Sequence, residues 1–157
     1  MDQGATSMFL INNFQYYLII PALLFFITLN AKENEKWEAP EFVEGAKTLN
    51  LQQAKKLHTE GIKFVDVRSD RQYEKRHIPT ALHLSIKTEF TEANLLKYFK
   101  KDTPFVLYCN SVRCSQSYRA TKKAVSWGFT NVKYYRNGFR AWRLDGNKLE
   151  YGKKDKK

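Results

Sequence analysis

The chain has 157 residues and a formal net charge of +11, with 27 Lys and Arg against 16 Asp and Glu. That length suits one domain with a proper core plus an extension, and a count of 2 cysteines excludes a disulfide framework as the source of its stability. The basic balance fits either small anionic partners or a solubilising surface. The lysines are scattered and no arginine-rich helix or basic–aromatic ladder is present, so nucleic acid is not expected as a partner.

Between Asp2 and Lys32 no side chain is charged, and residues 16–31, YYLIIPALLFFITLNA, are almost wholly apolar. The run is shorter than a comfortable membrane span of about 20 residues. Two readings fit residues 1–31: a signal peptide cut near Ala31, or an uncleaved membrane anchor. Both lack the usual basic leader residues. Either predicts export, with the domain periplasmic or held at the membrane outside the cytoplasm. Residues 32–45, polar and poor in apolar spacing, read as a linker. The folded domain is expected over 46–149, and 150–157 as a basic disordered tail.

From there helix and strand signals alternate. Residues 50–61 carry an N-cap candidate at Asn50, Gln53 three positions on and Gly61 as a stop, the marks of a helix. A short apolar strand follows at 63–67, then a capped helical turn ended by Pro79. A second strand is expected at 81–84, and a helix from Thr91. The clearest strand is PFVLYC, 104–109. The next stretch, 115–128, has small or apolar residues at Ala120, Ala124 and Trp127 before Gly128, which predicts a helix. A last strand at 131–135 leads into a turn and a short helix. Strands alternating with helices imply βαβ units and a parallel sheet, whose chemistry gathers beyond the C-terminal ends of the strands.

Cys109 stands at such an end, and Cys114, the other cysteine, follows with four residues between them. The pair reads in several ways: a disulfide, half a metal site, two buried small residues, or a nucleophile with a companion. Three scattered histidines and one cysteine pair do not suffice for a closed zinc site, so no metal is expected. A loop entering a helix N-terminus aims backbone N–H groups and the positive end of the helix dipole at one spot. A thiol there ionises more easily, and the thiolate is the nucleophile. Arg113 in the loop and Arg119 in the first helical turns supply positive charge for a second anion.

These residues carry a resemblance. FVDVRSDRQYEKRHIPTALHL resembles the first signature of the rhodanese family, an Asp-x-Arg at a strand end before a His-Ile-Pro-Gly-Ala segment. VLYCNSVRCSQSYRATKKAVSWGFTNVKYYRNGFRAW is similar to its second half. The resemblance covers about residues 48–146 and implies an α/β fold, a five-stranded parallel sheet flanked by helices. It implies a sulfurtransferase in which a cysteine takes a sulfane sulfur from a thiosulfate-like anionic donor, becomes a persulfide and passes the sulfur to a thiol or other thiophilic acceptor, with no cofactor. Residue by residue, it makes Cys109 the catalytic nucleophile and Asn110, Ser111, Val112, Arg113, Cys114 and Ser115 the substrate-binding loop. Asp66, Arg68 and His77 become structural motif residues and Trp142 a core residue. Exported members with two cysteines in this loop are the subgroup it resembles.

Three departures stand out. Thr80 and Val112 occupy positions where the family usually has glycine. Counting back from Trp127-Gly128-Phe129, Ser117 rather than Ser115 matches the serine that opens the helix, which predicts a loop two residues longer than usual, with Gln116 replacing an arginine. An enlarged loop would suit phosphatase-like or arsenate-reducing chemistry, and a non-catalytic sulfur carrier or binding module is a further alternative. Disulfide exchange is a weaker reading, because the loop would have to fold back to close the bond. Cys114 is expected either to resolve a persulfide on Cys109, leaving a disulfide, or to be a small buried residue. The opposite assignment, with Cys114 as nucleophile, also stays open.

Overall fold

The computed structural model describes residues 36–152. The expected leader or anchor, 1–31, most of the linker's start and residues 153–157 lie outside the described residues. No helix among the described residues is long and apolar enough to cross a membrane.

Five parallel strands form one sheet in the order β1-β5-β4-β2-β3. They are β1 (Lys47–Thr48), β2 (Lys63–Asp66), β3 (Leu82–His83), β4 (Phe105–Tyr108) and β5 (Val132–Tyr135). The helices are α1 (Leu51–Thr59), α2 (Asp70–Lys75), α3 (Glu92–Leu96), α4 (Ser115–Ser126) and α5 (Gly138–Leu144). The expected five-stranded parallel sheet with flanking helices is thus the observed one. β4 lies at its centre and is buried along its whole length. That burial explains its unbroken apolar sequence, since a parallel strand covered on both faces has no solvent side to mark with polar residues.

Side-chain alternation sorts the two faces. Val65, Phe105, Leu107 and Cys109 point into a cluster with Leu95, Ala120 and Ala124 of α3 and α4. Phe64, Val106 and Tyr108 point the other way, onto Ala54 of α1 and Phe139 and Trp142 of α5. The chain starts α1 with a reciprocal cap: the Asn50 side chain accepts from the Gln53 N–H, and the Gln53 side chain accepts from the Asn50 N–H. Such a cap satisfies two amides that the helix cannot bond itself.

Two stretches beyond the expected domain limits are tied to it. Within the expected linker, Ala39 and Val43 are buried, and Arg136 donates to the Ala39 carbonyl at 2.9 Å. At the other end, His77 and Glu150 pair in an antiparallel bridge, and the Gly152 N–H donates to Glu74 O at 2.7 Å.

Register then determines where the chain leaves the sheet. Asp66 is level with Tyr108, and Tyr108 with Tyr135. The residues that follow these three strands therefore emerge side by side at one edge: Arg68, Cys109, and the Asn137-Gly138 turn.

Candidate active site

The loop from Cys109 to Cys114 closes on itself. The Cys114 N–H donates to Ser111 O at 2.9 Å, and the two cysteines form a disulfide with their Cα atoms 6.3 Å apart. That spacing is ordinary for a disulfide. Four intervening residues therefore do not prevent closure, because the turn at Ser111 supplies the fold-back. Cys109 is 1% exposed, while Cys114 is half-buried and is the N-cap residue of α4.

The helix begins at Ser115, six positions after Cys109. The expectation of an enlarged loop opened by Ser117 is corrected here. Ser117 is the third helical residue and is buried, so the loop ends at Cys114 and not at Gln116. The physical reason is that Cys114 already has the extended backbone of a cap, with φ −111° and ψ 113°. The helical turn starts wherever such a residue hands its carbonyl to the first intrahelical bond. With the loop at five residues, the argument for a wider anion seat loses its basis.

The predicted binding residues divide into backbone anchors and outward side chains. The Asn110 carbonyl accepts from the Arg140 N–H at 2.8 Å, and the Val112 carbonyl accepts from the Ala39 N–H at 2.7 Å. Ser111 Oγ accepts a long bond from the Arg113 N–H, 3.4 Å. The guanidinium of Arg113 is exposed and forms no ion pair among the described residues; Ser115 is half-buried in the first turn of α4. Arg119, also exposed, lies one turn along.

Gln116 is the residue that sequence reasoning undervalued. Its Oε1 sits 3.6 Å from Cys109 Sγ and 3.7 Å from Cys114 Sγ. A carboxamide carries an acceptor and a donor end on one rotor, so the same side chain can turn N–H toward a thiolate once the sulfurs are free. An arginine was the family's expectation at this position, and its replacement by an uncharged donor was the available signal.

Beneath the loop lies a buried ion pair. Arg68 donates from Nη2 to Asp66 Oδ2 at 2.5 Å and from Nε to Oδ1 at 2.9 Å, with both residues almost wholly buried. A second bond runs from Nη2 to Arg76 O. The guanidinium lies 4.2 Å from the centre of the Phe139 ring. Phe139 in turn donates its N–H to Cys109 O at 2.9 Å. The pair therefore supports the cysteine through one aromatic ring. The negative charge of Asp66, after burial itself, helps hold the Tyr108 hydroxyl well above its usual pKa.

His77 faces elsewhere. Its Nδ1 is 2.9 Å from Tyr73 O, its ring stacks on Tyr73 at 3.8 Å, and its Nε2 is 3.6 Å from Glu150. Those contacts tie α2 to the C-terminal segment. Trp142 is buried and donates from Nε1 to Lys148 O. No cluster of metal-binding side chains occurs among the described residues.

The rhodanese-like domain family matches residues 50–145 of this chain. A thiosulfate sulfurtransferase GlpE from Pseudomonas syringae pv. syringae is 36% identical over 100 residues, covering 62% of this chain and 87% of its own length. A GlpE of Coxiella burnetii is 35% identical over 85 residues, covering 52% of this chain and 72% of its own length. Among solved structures, the BH2092 protein of Bacillus halodurans aligns with a TM-score of 0.60 at 25% identity, over 68% of this chain and 77% of its own. The human single-domain sulfurtransferase TSTD1 aligns with a TM-score of 0.55 at 24% identity, over 66% of this chain and 99% of its own, and shares the fold.

Proposed function

The chain belongs to the rhodanese-like domain family, and from that premise we propose that it is a sulfurtransferase working through a persulfide on Cys109. The GlpE relatives, named as thiosulfate sulfurtransferases and matched over most of their length, support the activity class. The observation that carries the residue assignment is the position of Cys109: it directly follows the central strand, and a helix of 12 residues opens six positions later, on the face toward which its side chain points.

In the first step the Cys109 thiolate attacks the outer sulfur of thiosulfate. The new bond is Cys109 S–S, the broken one is the donor's S–S, and sulfite leaves with the bonding pair. The α4 amides and Arg113 offset the charge of the leaving anion. The Gln116 carboxamide, turned to donate, holds the anionic persulfide. In the second step an acceptor thiolate attacks the outer sulfur and carries it off, restoring the Cys109 thiolate. Protons are exchanged with solvent only.

Cys114 gives the cycle a branch. Its thiol can attack the inner sulfur of the persulfide, releasing hydrosulfide and leaving the Cys109–Cys114 disulfide; two reducing equivalents from a dithiol or two thiols then restore the active form. The closed pair supports this reading. A reversible disulfide also shields Cys109 from irreversible oxidation. Placement outside the cytoplasm belongs to the same proposal: an apolar run at 16–31 and a cysteine pair able to cycle both fit an oxidising compartment, with membrane attachment through that run.

Thiosulfate turnover by two variants tests the assignment. Cys109→Ser is expected to lose activity by on the order of 10³-fold or more. Cys114→Ser is expected to keep it and to lose the requirement for reductant. Near-native activity in Cys109→Ser would overturn the assignment.

A further inference from the structure

Three carbonyls of the cysteine loop are held from one side. Cys109 O accepts from the Phe139 N–H at 2.9 Å, Asn110 O from the Arg140 N–H at 2.8 Å, and Val112 O from the Ala39 N–H at 2.7 Å. No peptide bond among the described residues is cis, so each N–H lies opposite the carbonyl of its own peptide. The N–H groups of Asn110, Ser111 and Arg113 are therefore turned away from α5 and from Ala39. Phe139 packs on one face of the sheet and the Cys109 side chain on the other. Glu38, next to Ala39, shares a cleft with Arg140 and Leu144 of α5. The three amides thus turn toward the side on which the Cys109 sulfur lies.

Two of the three donors belong to α5. The third comes from residues 37–43, which precede the stretch matching the rhodanese-like domain family, 50–145. Arg136, the residue after β5, holds this segment. Its Nε donates to Ala39 O at 2.9 Å and its Nη2 to Glu38 Oε2 at 2.7 Å. Tyr134 of β5 adds a longer bond to Pro40 O, 3.3 Å, and Ala39 is 1% exposed. Ala39 is thus fastened on both sides: its carbonyl to Arg136, its N–H to the cysteine loop.

We propose that residues 37–43 form a clasp on the cysteine loop, with Arg136 as a positioning residue for sulfur transfer. The inference deepens the sulfur-transfer reading and rests on it for the identity of the anion held. Arg136 acts through Ala39, whose bond to Val112 O fixes the plane of the Val112–Arg113 peptide and so the direction of the Arg113 N–H. That N–H has one weak partner within the loop, Ser111 Oγ at 3.4 Å, and is available to an anion. With the clasp released, single bonds on either side let the peptide rotate, and its N–H no longer faces the thiolate or the persulfide.

The test reads the Cys109 thiol in the full chain, reduced and carrying Cys114→Ser, through the pH profile of its alkylation by iodoacetamide, beside a thermal melt. Ala39→Pro deletes the donating N–H and changes no charge. It should raise the apparent pKa of Cys109 by about one unit, the scale of one hydrogen bond to a charged group, and lower kcat/KM for thiosulfate about tenfold. Arg136→Ala should raise the pKa by about half as much, and should add nothing to Ala39→Pro, since both act through one bond. Arg136→Lys, which keeps the charge but not the fork of donors, should fall between wild type and Arg136→Ala. Arg113 of the loop, Gln116 and Arg119 of α4 and Arg140 of α5 are unchanged throughout.

A wild-type alkylation profile in Ala39→Pro or Arg136→Ala protein that still melts cooperatively would overturn the clasp, because a merely supporting contact moves the melt and not the thiol. Additive shifts in the double variant would overturn it as well, by showing that Arg136 acts through its charge. Should Ala39→Pro fail to fold, the two Arg136 variants decide in the same way. Alkylation needs no sulfur donor, so the expected shifts without any thiosulfate turnover by wild type would refute sulfur transfer and leave the clasp standing.

Discussion

Thr80 has φ 61°, a positive value found at no other non-glycine residue described. A β-branched side chain in the left-handed region crowds its own backbone, at a cost of about 1–2 kcal/mol. Glycine escapes the crowding but gives back roughly 0.5–1 kcal/mol in unfolded-state entropy. Thr80 is exposed, and the bond it makes is from its N–H to Glu150 Oε2, 2.7 Å, which glycine retains. Thr80→Gly should therefore stabilise the domain by roughly 0.5–1 kcal/mol, read as a higher midpoint in urea. A lower midpoint would show that the threonine is favoured by something other than its backbone. The mismatch was legible beforehand, because the resemblance puts glycine here. What the sequence left hidden was the φ angle that makes glycine the better residue. Asp66 and Arg68 were likewise legible as a structural pair, but nothing in DVR reveals that Arg68 lies against Phe139, a residue of α5, the helix that follows a strand two places away in the sheet.

Among the elements, α5 shapes the site as strongly as α4. A Cβ built on Gly138 would fall 2.5 Å from Cys109 O, and the φ there is +64°. Backbone cannot yield at such a contact, so a methyl group would push α5 away from the cysteine loop and break the bonds from Phe139 and Arg140. Gly138→Ala should lower kcat/KM for thiosulfate by about 10²-fold, the scale of a misplacement near 1 Å. The check is steady-state turnover beside a thermal melt; full activity would mean that the contact is not maintained in solution. This dependence was not readable from the sequence. Periodicity marks α5 as a short helix after a turn, but strand order determines that its first residue touches Cys109. The helix expected over 115–128 starts where α4 starts, at Ser115, but the count that put its opening at Ser117 failed for a related reason. Counting back from Trp127-Gly128-Phe129 fixes the end of a helix, and only the backbone of Cys114 reveals where the helix begins. β1 was also missed, since two residues at an edge carry no period.

For the molecule as a whole, burial of phenols predicts alkaline sensitivity. Burial raises the pKa of Tyr73, Tyr108, Tyr134 and Tyr135, with Tyr134 pushed up to about 12 despite the opposing charge of Arg136. Tyr135 has a buried hydroxyl with no hydrogen-bond partner among the described residues, so nothing there stabilises a phenolate. A pKa higher in the folded than in the unfolded chain means that the fold retains the proton. The stability this supplies is complete below the ordinary value near 10 and is lost as pH rises through the folded value. Unfolding should therefore set in between about pH 10 and 12, with these tyrosines ionising together with loss of structure in a titration near 295 nm. Smooth ionisation of all tyrosines near pH 10 with the fold intact would contradict their burial. The two-faced packing behind this was largely legible, because apolar runs between turn signals imply covered strands. Closure of the cysteine loop was not, because a turn at Ser111 has no glycine or proline to announce it. The central claim, that Cys109 carries sulfur, is tested most directly by incubating reduced Cys114→Ser protein with thiosulfate, removing the donor, and measuring intact and peptide masses. The account predicts a gain of about 32 Da on the peptide holding Cys109, reversed by a thiol acceptor. An unchanged mass at that peptide, or the same gain in Cys109→Ser, would contradict it.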